Sequence, residues 1–176
     1  PILITRDGGR NWNPLRVVND RYLDINAVHM DAGKVITVVG DAGFITQSTD
    51  DNQTWQRRYT GVQTNLRKVI SRDGKTMWAI GDAAGVLRSL DGGVTWKQVI
   101  VPGAVNLNDI YFVDAKRGWI VGDNGYLIAT TDGGDTWKAQ DTGTTENLLS
   151  VQFVDAKTGW VVGHQGALLA TGTGGF

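Results

Sequence analysis

The chain alternates short apolar runs with turns rich in glycine, aspartate and asparagine, and this alternation continues along its whole length. A representative stretch contains four such runs, at residues 107–113, 118–122, 126–131 and 136–140. Runs of this length separated by Gly, Asp and Asn predict β-strands joined by tight turns. No run carries helical spacing over three turns, so we predict an all-β fold.

Three motifs recur in the same order with a period of about 41 residues. An apolar segment such as LNDIYF opens each unit, a G-D-x-G turn follows, and an S/T-x-D-G-G-x-T-W segment closes the unit. The closing tryptophans are spaced by 43, 41 and 41 residues. A four-stranded unit repeated at this period is typical of a β-propeller blade. We therefore predict a propeller of about four blades.

The repeats occupy a single predicted propeller domain, or propeller fragment, over residues 1–176. Their predicted limits are 1–18 (partial), 23–59, 66–101, 107–141 and 148–176 (partial). Counting two strands in the first unit, twelve in the full units and three in the last gives 17, one more than a closed four-blade ring needs. Unclosed blades expose strand edges and apolar faces. We expect either part of a larger propeller or a ring completed by association of copies.

The S/T-x-D-G-G-x-T-W segment predicts the hairpin between the third and fourth strands of a blade. Its aspartate can accept hydrogen bonds from turn amides, its glycines allow positive φ, and its tryptophan can cover the hairpin. We assign a structural role to Asp7, Trp12, Asp50, Trp55, Asp91, Trp96, Asp132 and Trp137. A second periodic set in the G-D-x-G turns, Asp41, Asp82 and Asp123 with His164 in the fourth place, is predicted to bond to its own backbone.

Composition removes several classes of function. Apolar residues make up 41% of the chain and the net charge is -1, which gives no general attraction to nucleic acid. The absence of cysteine excludes disulfides and thiolate metal sites, and two histidines do not suggest a metal centre. No apolar run reaches the roughly 18 residues of a membrane span. We predict no metal, no cofactor, no nucleic-acid partner and no membrane span.

Catalytic residues are not predicted. A glycosidase needs two carboxylates facing one cleft, but Glu146 is the only glutamate and many aspartates belong to the periodic turns. The chain contains no P-loop, HExxH or GxSxG motif. We predict a non-catalytic scaffold that binds another protein. The alternative is a glycan-binding or glycoside-hydrolysing propeller of the sialidase type.

Charge is distributed unevenly. Residues 55–90 hold seven basic and two acidic side chains, whereas the remainder of the chain holds ten basic and sixteen acidic ones. Such a concentration predicts either a solvated face or a patch for an acidic protein partner. The partner-binding candidates are Arg57, Arg58, Arg67, Lys68, Arg72 and Arg88.

The S/T-x-D-G-G-x-T-W segments resemble the Asp-box, or bacterial neuraminidase repeat. Together with GWxVGDxGxLxxTxDGGxTW and the VDAK and GW segments, they look more specifically like the photosystem II assembly and stability factor family and its bacterial relatives. The resemblance implies a propeller, with seven blades in photosynthetic members. It also implies a photosystem II assembly-like role through a protein partner, such as a membrane-protein complex bound by a basic patch. An extracytoplasmic location, in the periplasm, the thylakoid lumen or outside the cell, is expected.

Overall fold

The computed structural model describes residues 2–15, 17, 23–31 and 34–175, which form 17 β-strands and one three-residue 3₁₀ turn. Positions 1, 16, 18, 32, 33 and 176 of the predicted repeats lie outside the described residues. The strands form separate antiparallel sheets, each of which is one blade or part of one. The predicted all-β propeller architecture is confirmed.

Three blades have four strands each. Blade II contains β3 (Ile25–Met30), β4 (Ile36–Gly40), β5 (Ile45–Ser48) and β6 (Gln56–Arg58). Blade III contains β7 (Leu66–Ser71), β8 (Met77–Gly81), β9 (Val86–Ser89) and β10 (Lys97–Gln98). Blade IV contains β11 (Leu107–Phe112), β12 (Gly118–Gly122), β13 (Leu127–Thr130) and β14 (Lys138–Ala139). In each of them, the strands pair in chain order.

Two further sheets flank these blades. Blade I contains β1 (Ile2–Ile4) and β2 (Asn13–Leu15), and blade V contains β15 (Leu148–Phe153), β16 (Gly159–Gly163) and β17 (Leu168–Thr171). Blades I and V remain separate sheets, so β1 and β17 do not share one place. The described strands therefore form an open series of blades.

The first strands of successive blades lie beside one another: β3 contacts β7, β7 contacts β11, and β11 contacts β15. These strands consequently line the axis about which the blades are arranged. A β-bulge interrupts each of the four at the same point, for example between Leu107 and Asp109. A bulge re-aims neighbouring side chains, which here lie at one mouth of the axis.

The hydrophobic core lies between blades rather than within them. One cluster joins Trp78 and Ile80 of blade III to Ile110, Ile120 and Trp137 of blade IV. Equivalent clusters join blade II to blade III and blade IV to blade V. Blades III and IV therefore each bury one face against the preceding blade and the other against the following blade, as expected for a repeat fold.

Three predicted strands of blade IV, the first, third and fourth, are longer than the observed ones. The fourth strand was expected over 136–140 but spans Lys138–Ala139. The reason is that the amide of Thr136 donates to the carboxylate of Asp132, at 2.9 Å, and is thereby engaged in the turn. Strand pairing begins only beyond this turn.

Candidate protein-binding surface

The Asp-box of blade IV shows how the repeated hairpin is held. The Asp132 carboxylate accepts hydrogen bonds from the Thr136 amide at 2.9 Å, the Thr136 hydroxyl at 2.6 Å and the Thr130 hydroxyl at 2.8 Å. The Thr130 oxygen in turn accepts from the Gly134 amide at 2.9 Å. One acidic side chain therefore closes the turn.

The same contacts recur around Asp7, Asp50 and Asp91. Hydrogen bonds from Thr54 to Asp50, and from Thr95 to Asp91, lower the pKa of each carboxyl to about 2. Bonds from Asn11 do the same for the pKa of Asp7. A carboxylate that accepts several such bonds is stabilised in its charged form. These acids are therefore occupied by the turns in which they lie.

The second glycine of the boxes in blades III and IV serves close packing between blades. Gly134 has φ +85°, and a Cβ built on it would lie 2.2 Å from Cη2 of Trp78 in the preceding blade. A Cβ on Gly93 would lie 2.2 Å from Nε2 of Gln47. In the box of blade II the two glycine positions are occupied by Asp51 and Asn52, with φ 57° and 69°. Asx residues tolerate this left-handed conformation better than most other residues.

The box tryptophans pack against the preceding blade in addition to covering their own turn. Trp137 contacts Trp78 edge-on, with ring centroids 5.9 Å apart. Trp96 and Trp137 are buried, Trp55 is half-buried beside blade I, and Trp12 is 57% exposed. The burial of each box tryptophan therefore follows the amount of neighbouring blade that covers it.

The periodic turn acids behave differently from the prediction. Asp41 accepts from the Asn26 side chain, and Asp123 accepts from the side chains of Asn106 and Asn108, all at 3.0 Å. Asp82 lies 2.6 Å from Nε of Arg67. The prediction that these carboxylates accept hydrogen bonds from the backbone of their own turns is therefore wrong for the described residues. The carboxylates instead fasten the G-D-x-G turns to the start of the first strands. His164, in the fourth place, is exposed.

Three of the six basic candidates are half-buried and engaged within the fold. Nε of Arg58 donates to Oε1 of buried Gln47 at 3.0 Å. Nζ of Lys68 lies 2.8 Å from Oδ1 of Asp109, and Nη1 of Arg88 lies 2.7 Å from Oδ1 of Asp135 in the next blade. These contacts join parts of the scaffold, which favours a structural role for Arg58, Lys68 and Arg88.

The other three candidates are exposed but lie in different places. Arg57 is on the outermost strand of blade II, with its guanidinium 4.6 Å from the centroid of the Phe44 ring. Arg67 is at the start of β7 beside the axis, where Nη1 also donates to Asn108 at 3.0 Å. Arg72 lies in the turn after β7, at the other mouth. The structure therefore does not bring the six residues together as one patch, because neighbours in sequence are distributed over inner and outer strands.

One inter-blade contact was missed by sequence reasoning. Asp109 bonds to Lys68 of the preceding blade and, through Oδ2, to the hydroxyl of Ser150 and the amide of Val151 in the following blade, at 2.8 and 3.0 Å. Lys68, Asp109 and Ser150 occupy the same position of three successive repeats. Aligning the repeats position by position would have shown the lysine beside the aspartate.

Catalytic geometry is not evident among the described residues. The box acids are engaged in their turns, and Glu146 is half-buried, in a linker whose backbone bonds to Gly125 and Thr144. Burial lowers the pKa of His29, which lies near Asp31. No group of three or more His, Asp and Glu side chains within the described ranges is arranged to hold a metal ion. No helix in the described part of the chain is long and apolar enough to cross a membrane.

Four-stranded blades, axial first strands and Asp-box hairpins together define an Asp-box β-propeller. Residues 92–176 match the family described as photosynthesis system II assembly factor YCF48. The chain resembles that family and its bacterial relatives, as the sequence motifs indicated. No curated protein matched the chain.

Solved structures show the same fold. YCF48 from Cyanidioschyzon merolae superposes with a TM-score of 0.73 at 19% identity, over 97% of this chain and 62% of that one. YCF48 bound to D1 peptide gives a TM-score of 0.52 at 16% identity, over 97% and 86%. The GH74 enzyme of Niastella koreensis gives 0.67 at 18% identity, over 83% and 28%. The chain thus spans less than two thirds of the YCF48 structure from Cyanidioschyzon merolae.

Proposed function

We propose that the protein is a non-catalytic propeller scaffold that binds a peptide segment of another protein in a photosystem II assembly-like role. The observation that carries this proposal is the match of residues 92–176 to the YCF48 family. The fold shared with a YCF48 structure that contains a D1 peptide supports a peptide as the form of the partner. We extend the proposal to a membrane-protein complex as the source of that peptide.

The side that carries the G-D-x-G turns is the proposed binding side. Arg57 lies over Phe44, which follows one of these turns, and Arg67 contacts Asp82 in the next. Both arginines are exposed and belong to the predicted basic set. Tyr59, which is 90% exposed, lies two residues after Arg57 and adds an aromatic ring that a peptide can cover. Carboxylates of the partner would bind the guanidinium groups.

A peptide-binding assay tests the proposal. We expect the D1 peptide to bind the chain in isothermal calorimetry, and Arg57→Glu to weaken binding most at low salt, because exposed charges are screened over about 8–10 Å at ordinary ionic strength. Lys138→Glu is the matched control, since Lys138 is an exposed cation on the outermost strand of blade IV. Equal loss in both variants, or no binding by the parent chain, would contradict the proposal.

The alternative function is glycoside recognition or hydrolysis, since GH74 enzymes share this fold. Chromogenic glycosides and a glycan array address it directly. Turnover that is lost on Glu146→Gln would replace the scaffold proposal by an enzymatic one.

Two further parts of the proposal concern location and assembly. We place the protein outside the cytoplasm, in the periplasm, the thylakoid lumen or the exterior, and cell fractionation with an antibody would test this. We also propose that copies associate to complete the ring, for which light scattering in solution gives the mass.

A further inference from the structure

The boundary between blades II and III differs from the later boundaries near the mouth opposite the G-D-x-G turns. Phe112 of blade IV stacks on Trp78 of the blade before it, with ring centroids 5.4 Å apart. Phe153 of blade V stacks on Trp119 in the same way, at 3.5 Å. Blade III has Ser71 at this repeat position. The equivalent place between blades II and III therefore receives a small hydroxyl side chain instead of an aromatic ring.

An open cleft of about 760 Å³ lies at this boundary, between the turn after β3 and the turn after β7. The side chains that line it include four hydrogen-bond donors, His29, Ser71, Arg72 and Lys75. At the next boundary, the repeat positions of His29 and Arg72 hold Ile70 and Val113. Blades II and III are both complete four-stranded sheets. The cleft is therefore polar where its counterpart is apolar, and it lies between two complete blades of the chain.

The two cationic side chains of the cleft make no direct contact within the fold. Among the described residues, the Arg72 guanidinium and the Lys75 ammonium form no hydrogen bond and no ion pair, and both side chains are exposed. Arg72 attracts the carboxylates of Asp73 and Asp114 without contacting them. Asp73 instead accepts from the amides of Lys75 and Thr76, at 2.9 and 2.6 Å. This carboxylate fixes the turn and leaves both cations available to a ligand.

Two neutral donors and one carboxylate complete the lining. His29 is half-buried, and its imidazole has no hydrogen-bond partner in the described part of the chain. The Ser71 hydroxyl accepts from the Gly74 amide at 3.1 Å and keeps its own hydrogen to donate. Asp31 also lines the cleft, where its Oδ1 accepts from the Val35 amide at 3.0 Å. Its charge opposes the binding of an anion and sets a limit on the affinity.

We infer that this cleft between blades II and III binds a phosphate group, either as the free ion or as a monoester. The Arg72 guanidinium offers a planar fork of donors, and the Lys75 ammonium offers a compact charge. The Ser71 hydroxyl and the His29 imidazole supply further donors. A phosphate monoester presents three strong acceptor oxygens, whereas a carboxylate presents two, so this set of donors matches phosphate better. The cleft lies at the mouth opposite the proposed peptide-binding side and is independent of that function.

Proton NMR of the two histidine side chains tests the site in the whole chain. Inorganic phosphate, added at constant pH and ionic strength, should shift the imidazole signals of His29 along a saturating curve. The signals of His164 should stay unchanged as an internal control, because His164 is exposed in the turn between β16 and β17, on the G-D-x-G side. Phenyl phosphate in the same titration distinguishes the source of the group. Tighter binding of phenyl phosphate identifies a monoester as the ligand, and weaker binding identifies the free ion.

Substitutions at exposed positions separate the site from general charge effects. Lys75→Gln should weaken phosphate binding about five- to tenfold, because it removes a charge-assisted contact. Lys116→Gln is the matched control, since Lys116 is exposed at the same repeat position while Phe112 takes the place of Ser71 beside it. Asp31→Asn should strengthen binding, because it removes the carboxylate that lines the cleft.

Four results would overturn the inference. They are His29 signals that do not shift, equal shifts of both histidines, equal weakening by Lys75→Gln and Lys116→Gln, and acetate binding as tight as that of phosphate. Binding of the D1 peptide remains a separate measurement, because Arg57→Glu alters the other side of the propeller and should leave the phosphate titration unchanged.

Discussion

Lys68 and Asp109 hold the same position in consecutive repeats and form an ion pair of 2.8 Å across the boundary between blades III and IV. The two side chains differ in surroundings, since the Asp109 side chain is 9% exposed and that of Lys68 is 42% exposed. Asp109 also accepts bonds from blade V. The aspartate therefore links three blades, and the lysine links two.

Replacing either partner should have unequal effects on stability. Asp109→Ala removes three contacts and leaves the buried Val151 amide without its acceptor, which should lower the free energy of unfolding by about 2–4 kcal/mol. Lys68→Ala should lower the free energy of unfolding by about 1 kcal/mol or less. Removing the partly exposed lysine side chain lets water reach the Asp109 carboxylate, which keeps its two bonds from blade V. Urea unfolding of the two variants measures the difference. Equal destabilisation would contradict the assigned link to blade V.

Gly134 and Gly9 occupy the same place in two boxes but face different neighbours. Gly134→Ala adds a Cβ that meets Trp78, so both the positive φ and the overlap should destabilise the protein, together by roughly 2–5 kcal/mol. Gly9→Ala has a similar φ, +88°, but meets no atom closer than 3.8 Å. Gly9→Ala should therefore lower the free energy of unfolding by only about 1–2 kcal/mol, the cost of a positive φ in a residue with a Cβ. Thermal unfolding of both variants checks the expected order, which a larger effect at Gly9 would reverse.

We expect acid to destabilise the protein only at low pH, where the Asp-box carboxylates become protonated. The folded-state pKa of Asp50 and Asp91, about 2, lies below the usual value of 3.8, so the unfolded chain binds more protons at low pH. The stabilisation is complete above about pH 4 and is lost as pH falls to 2 and below. Because hydrogen bonds cause the shift, added salt should change it little. Carboxyl titration by carbon NMR measures these values, and midpoints near 3.8 would refute the box geometry.

Arg57 and Arg58 are neighbours with different expected effects. Arg58→Ala removes the partner of the Gln47 side chain, whose Oε1 is buried between blades, and should destabilise the fold by about 1–3 kcal/mol. Arg58→Lys should rescue only part of this loss, because an ammonium cannot reproduce the planar guanidinium geometry. Chemical denaturation provides the test. If Arg58→Ala leaves the stability unchanged, Arg58 has no structural role and behaves like the exposed arginines.

Much of the fold was predictable because the repeat makes each blade a copy of the next. The strands of blade IV could be placed from apolar runs, and the open series of blades from the strand count. The contacts of charged side chains were not predictable from local sequence. Lys68 reaches Asp109 only because bulged first strands lie side by side, and that proximity spans one whole repeat. The basic side chains of residues 55–90 likewise lie apart, because the chain passes from the outermost strand of blade II to the innermost strand of blade III within this segment.

Blade boundaries in this protein are of two kinds, and this difference sets an order of opening. Between blades III and IV, and between IV and V, the contact centres on stacked aromatic rings. Between blades II and III, an apolar cluster is accompanied instead by a buried hydrogen bond, which Gln47 donates to the carbonyl of Gly92 at 2.8 Å. Entering water can replace the carbonyl of Gly92 as the partner of Gln47, whereas it offers no substitute for a stacked aromatic ring. Under load or mild denaturant, the series of blades would part first beside Gln47, and blades III to V would separate from it as one piece.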